Sequence, residues 1–135
     1  MSFKRMTHSE LLAKIKEIFA ACVAEAEKKN ADYASHGIEG TSGLNNFYAT
    51  AAKYNMTPMQ AWAVHDYKHD IAITQLVNGL QLRSETVRNR FIDRANYAIL
   101  GLILHEEMEA ERLYNESQGI KAGTITIDDC RYNHT

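Results

Sequence analysis

The chain of 135 residues has little of what usually announces a protein class. It holds two cysteines, Cys22 and Cys130, and neither belongs to a CxxC or a Cys/His cluster. That excludes a disulfide scaffold or zinc finger and fits ordinary reduced thiols of a cytosolic protein. Apolar runs are short. The longest, Tyr97 to Leu104 with Gly101 inside it, has eight residues, whereas a membrane span needs about 20. Residues 1–8 are polar and basic with no apolar stretch behind them, unlike a typical signal peptide. Charge of either sign is nearly balanced, at −2 net, so nothing favours broad attraction to nucleic acid or to membranes. GxSxG, Walker and GxGxxG patterns are absent, and Gly37 with Gly40 is too little for a phosphate loop.

What is present is helical. The length argues for one domain, and 45% hydrophobic residues can fill a core without disulfides or structural metal. Thr7 and Glu10 fit a capping box, each side chain satisfying a free amide at a helix start. Leu11, Leu12, Ile15, Ile18, Phe19, Cys22, Val23 and Ala26 then recur at helical spacing. This helix is expected to reach about Tyr33. Residues 35–43, with three glycines and no period, read as a loop. A shorter helix follows over about Asn45 to Tyr54. Thr57-Pro58-Met59-Gln60 is the clearest start, with a threonine cap, proline at the first position and glutamine closing the box. That helix should run to about Leu80, with Trp62, Val64, Ile71, Ile73, Leu76, Val77 and Leu80 as apolar surface and Asn78-Gly79 fraying its end. Ser84 can cap a last long helix whose stripe is Val87, Phe91, Ala95, Ala98, Ile99, Leu102 and Ile103. Its acidic end, Glu106 to Glu111, should be solvated. The expectation is an all-α antiparallel bundle of three long helices plus one short one, a single domain over 1–118 with an irregular tail at 119–135. Thr124 to Ile127 in that tail is β-prone but too short to stand alone.

Three groups could carry chemistry. His65, Asp66, Lys68, His69 and Asp70 lie on the third helix. Two histidines four apart share a face, as in HExxH zinc helices, but Asp66 stands where that motif has glutamate. Contact with a nucleotide phosphate and a plain polar face are the other readings. Glu85, Asn89, Asp93 and Asn96 stack along the last helix at spacings of four, four and three. Oxygen ligands so placed can hold Mg²⁺ or Mn²⁺, and Asp93, between Phe91, Ile92, Ala95 and Tyr97, is the best single candidate. The alternative is a solvated face with Glu85 at the helix start. Asp32, Tyr33, Asn45, Asn46 and Phe47 flank the glycine loop. Rings beside amides suit a nucleobase, and equally a buried Phe47 with Asn45 or Asn46 capping a helix. Arg88, Arg90 and Arg94 could grip phosphates or pair with another helix.

Lys29-Asn30-Ala31-Asp32-Tyr33, Asn45-Asn46-Phe47, Trp62-Ala63-Val64-His65 with Lys68-His69, Glu85-Thr86-Val87 and Asp93 to Leu100 follow one another in that order. The pattern, over about Lys29 to Leu104, resembles the phage-borne "nucleotide modification associated" domain family. That family resembles a distant branch of the all-α MazG-like nucleoside triphosphate pyrophosphohydrolases. The resemblance implies a cytoplasmic, homo-oligomeric nucleotide-binding protein, in the host cytoplasm where phage-borne. It implies Mg²⁺ held by Glu85, Asp93 and Asp70, with Asp93 and Glu85 catalytic. Lys68, His69, His65, Asn46, Phe47, Tyr33 and Asn96 would hold the nucleotide. Asn89 replaces an expected acid, and the third helix lacks an ExxE. The thinned acid set therefore leaves room for a non-catalytic reading: a sponge sequestering a cyclic or ADP-ribose-type signal of host defence. A helical protein–protein adaptor is a third possibility.

Overall fold

A computed structural model describes residues 2–34, 44–81 and 86–119, with the side chains of 30–34 outside that description. The described chain is all-α, with three long helices and one short one: α1 (His8–Ala34), α2 (Asn45–Tyr54), α3 (Pro58–Val77) and α4 (Val87–Ser117). Among the described residues, no helix is long and apolar enough to cross a membrane. The chain forms two compact units, residues 1–38 and 39–135. The glycine-rich stretch 35–43 and the β-prone run 124–127 lie outside the described residues.

The first unit is α1. Its start is the expected box: the Thr7 amide donates to Glu10 Oε2 and the Glu10 amide to Thr7 Oγ1, both at 3.2 Å. Cys22 on this helix is buried.

In the second unit, α3 packs against both α2 and α4. The α3 start repeats the capping logic in full. The Gln60 amide donates to Thr57 Oγ1 at 3.1 Å, and the Thr57 amide to Gln60 Oε1 at 2.9 Å. Proline costs nothing at this position, because its missing N–H is one the helix could not pair anyway, and Pro58 is fully buried. Helix α2 ends on Asn55 in the left-handed region (φ 60°, ψ 48°), a conformation asparagine tolerates better than most residues. The core joins Leu44, Phe47 and Tyr48 to Leu104, with Met59, Trp62, Tyr97, Leu100 and Met108 packed around them.

Three details depart from expectation. Thr86, not Ser84, caps α4, accepting from the Asn89 amide at 3.1 Å. Ser84 and Glu85 fall in 82–85, outside the described residues. Neither Asn45 nor Asn46 caps α2: Leu44 holds that position without a side-chain cap. The inward faces also differ from the expected stripes. On α4 the core contacts run through Tyr97, Leu100, Leu104 and Met108, while Val87, Phe91, Ile99, Leu102 and Ile103 are exposed. On α3 the inward side includes Pro58, Ala61 and Trp62, and Val64, Ile71 and Val77 are exposed; the helix ends at Val77, before the expected Leu80, which is exposed beyond it. The cause is close packing. On α4, Gly101 has no side chain, and the Trp62 ring of α3 occupies the space that one would take.

Candidate functional site

Gly101 sets the geometry of the α3–α4 contact. It is buried on α4, and a Cβ built there would lie 2.6 Å from Trp62 Cε2, 2.7 Å from Cζ2 and 2.9 Å from Nε1. The indole of Trp62 therefore occupies the space a side chain would take. From that seat Trp62 Nε1 donates to the Tyr97 carbonyl at 2.8 Å. This is the carbonyl that the Gly101 amide also faces, one helical turn on. The indole N–H is thereby satisfied, as a buried polar group must be, and α4 is held at one rotation against α3.

That rotation puts Tyr97 at the centre of a ring cluster. The His69 and Tyr97 rings lie 4.3 Å apart, tilted by 46°. Phe47 from α2 meets the Tyr97 ring edge-on at 6.3 Å and the His65 ring at 5.9 Å. The Lys68 ammonium sits 5.7 Å from the Tyr97 ring centroid, within cation–π range. His65 Nε2 and Thr50 Oγ1 on α2 are 3.4 Å apart. Three helices thus bring His65, Lys68, His69 and Phe47 together. The cluster also uses Tyr97 and Thr50, which the sequence reading did not single out. One signal for Tyr97 was present: a glycine inside the apolar run four residues later marks a close helix approach.

The other candidates divide. Asp93 is half-buried one turn before Tyr97, and Asn96 is its neighbour in sequence, also half-buried. Asn46 is exposed on the first turn of α2. Asp70 pairs with Arg94 across α3 and α4 at 3.2 Å, and the two side chains are about half exposed. Arg90 donates to the Ala72 carbonyl at 2.9 Å and to Gln75 Oε1 at 3.3 Å. Arg90 and Arg94 thus each form a link to another helix. Phe47 is buried, so it forms a wall of the cluster with no free face. Glu85 and the side chain of Tyr33 lie outside the described residues. Among the described residues, no three His, Cys, Asp or Glu side chains gather as a metal-holding group.

Electrostatics add one feature beyond the cluster. Tyr48 on α2 donates to Glu107 Oε1 on α4 at 3.3 Å, so the expected solvated acidic end of α4 is partly engaged. Burial first, then the charge of Glu107, push the Tyr48 phenol up to about 12. Further along α4, Arg112 grips Glu109 and Glu116. The hydrogen bond from Arg112 holds the Glu109 carboxyl below its usual range.

Comparison with protein families, curated proteins and solved structures finds no match to this chain.

Proposed function

We propose that the second unit binds a nucleotide, with Lys68, His65 and His69 contacting phosphate and Asn46 and Asn96 reading the base. The observation that carries this reading is the convergence of the Lys68 ammonium and the His69 imidazole on one ring, Tyr97. A cation and imidazoles against an aromatic wall are what phosphate and base together call for. Tyr97 serves as that wall, with the buried Phe47 edge-on behind it. The expected homo-oligomer and the cytoplasmic setting belong to the same proposal.

Two fates for the nucleotide are open to test. In the MazG-like reading, Asp93, Glu85 and Asp70 would hold Mg²⁺, which attracts the phosphates and helps generate the attacking water. Asp93, half-buried one turn from Tyr97, favours it. In the sponge reading the nucleotide is held intact. The engagement of Asp70 by Arg94 favours this, because it removes one acid from a thin set.

The test is incubation of the protein with nucleoside triphosphates and cyclic dinucleotides, with and without Mg²⁺, followed by chromatography of the solution and of the heat-released fraction. New products that need Mg²⁺ and vanish in Asp93→Ala establish hydrolysis. Depletion with intact recovery on heating, lost in Lys68→Ala, establishes sequestration. If no nucleotide is depleted or converted, the proposal fails.

A further inference from the structure

His65 on α3 is held by two residues of α2. The buried Phe47 meets its ring at 5.9 Å with the planes 64° apart. Thr50, three residues further on and so on the same face of α2, brings Oγ1 to 3.4 Å from His65 Nε2. His65 and Thr50 are both half-buried. The second ring nitrogen, Nδ1, makes no hydrogen bond among the described residues, yet it is not sealed from solvent. One nitrogen is thus committed to the fold, and the other is left for a ligand. Lys68 follows His65 by one helical turn, its ammonium 5.7 Å from the centre of the Tyr97 ring.

A neutral imidazole carries one proton, on Nδ1 or on Nε2, and the hydrogen bond made by one nitrogen decides the state of the other. An ionised phosphate oxygen accepts hydrogen bonds. It is repelled by a bare lone pair on Nδ1 and drawn to Nδ1–H. A hydroxyl beside Nε2 suits both protonation states of the ring. It donates to Nε2 when the ring is neutral, which leaves the proton on Nδ1. It accepts from Nε2–H when the ring is charged, and a helical threonine can then turn its own proton to the carbonyl four residues back, here that of Asn46. Valine, of nearly the same shape, can do neither.

We propose that Thr50 is a positioning residue for the ligand site: its hydroxyl holds His65 so that Nδ1–H is presented to phosphate without a charge on the imidazole. This rests on the nucleotide reading above and adds to it the atom that makes the contact. Lys68 then supplies charge, and His65 supplies direction.

The test uses the ¹⁵N-labelled full chain at about pH 8, where an imidazole is ordinarily neutral. Long-range ¹H–¹⁵N spectra report which ring nitrogen carries the proton, and His65→Gln identifies the signals. Inorganic phosphate is the probe. His65 should be in the Nδ1–H form in the wild type and in Thr50→Ser, and in the Nε2–H form in Thr50→Val. Phosphate should shift the His65 signals saturably. Its affinity should fall about tenfold in Thr50→Val, for one hydrogen bond to a charged acceptor, and be kept in Thr50→Ser. Lys68→Ala should weaken phosphate binding and leave the tautomer as it was. A Thr50 that served stability alone would lower the unfolding midpoint of Thr50→Val and leave the tautomer unchanged. That result, or an Nε2–H wild type, with phosphate still bound, would overturn the inference and leave the nucleotide reading standing. The wild-type tautomer decides this even if Thr50→Val does not fold. No saturable shift in the wild type, with His65 in either form, would count against the nucleotide reading and remove this inference with it.

Discussion

Replacing Gly101 by alanine sets two opposing effects against each other. Alanine is the better helix former by about 1 kcal/mol, so a helix judged alone would gain. In this fold the new methyl would sit 2.6 Å from Trp62 Cε2. Ordinary carbon contacts are about 3.5–4.0 Å, so the indole must retreat by about 1 Å. Overpacking of this kind costs about 1–3 kcal/mol. The retreat also stretches the 2.8 Å bond from Trp62 Nε1 to the Tyr97 carbonyl, worth about 1 kcal/mol net. The balance is a loss of about 2 kcal/mol, or a fall of about 6 °C in Tm for a domain of this size. Far-UV circular dichroism during thermal and urea unfolding measures it. Trp62→Phe in the same background supplies the control. The smaller ring should relieve the overlap, so the double variant should lose at least about 1 kcal/mol less than the sum of the singles. A Gly101→Ala protein as stable as the wild type, or more so, would refute the account of the α3–α4 contact.

Thr57→Ala should cost about 1 kcal/mol, because it opens the capping box of α3; chemical denaturation reads it as a lower midpoint at unchanged slope. Tyr48, its phenol pushed up to about 12 in the fold from the ordinary 10.0, contributes stability that is fully present below pH 10.0 and lost as the pH rises through about 12. Unfolding midpoints followed across that window should fall in the wild type and flatten in Tyr48→Phe. Asp70→Asn should change stability by less than about 1 kcal/mol, since its pair with Arg94 is half exposed. A larger loss in denaturant unfolding would mean that the pair is coupled to the ring cluster.

How far the sequence led depends on what each residue says locally. Thr57-Pro58-Met59-Gln60 could be recognised because capping is a contract among four neighbours, and both of its bonds are present. The bounds of α2 match the expected Asn45 to Tyr54, although its start carries no side-chain cap. The inward face of α4 could not be read in this way. Leu102 and Leu104 are equally apolar, yet the first is exposed and the second fully buried, and only the approach of Trp62 to Gly101 decides between them. Hydrophobic periodicity assumes that the broadest stripe faces the core. Helix α4 carries apolar residues on two sides, so that assumption chose the wrong one. In the candidate site, His65, Lys68, His69 and Phe47 were legible as residue types at helical spacing. Tyr97 and Thr50 were not, because their roles arise from contacts across helices.

The short connection between α2 and α3 has a consequence for the order of assembly. Only Asn55, Met56 and Thr57 separate the two helices, so closing this corner fixes few residues and takes little entropy. The ties to α4 span far more chain: 35 residues for Trp62 to Tyr97, and 59 for Tyr48 to Glu107. Contacts between near neighbours form fastest. The α2–α3 corner is therefore expected in the folding transition state, with α4 docking later. Thr57→Ala should then slow refolding, whereas Gly101→Ala and Tyr48→Phe should chiefly hasten unfolding. The lifetime of the native state would thus be governed by α4, and the speed of reaching it by a three-residue turn.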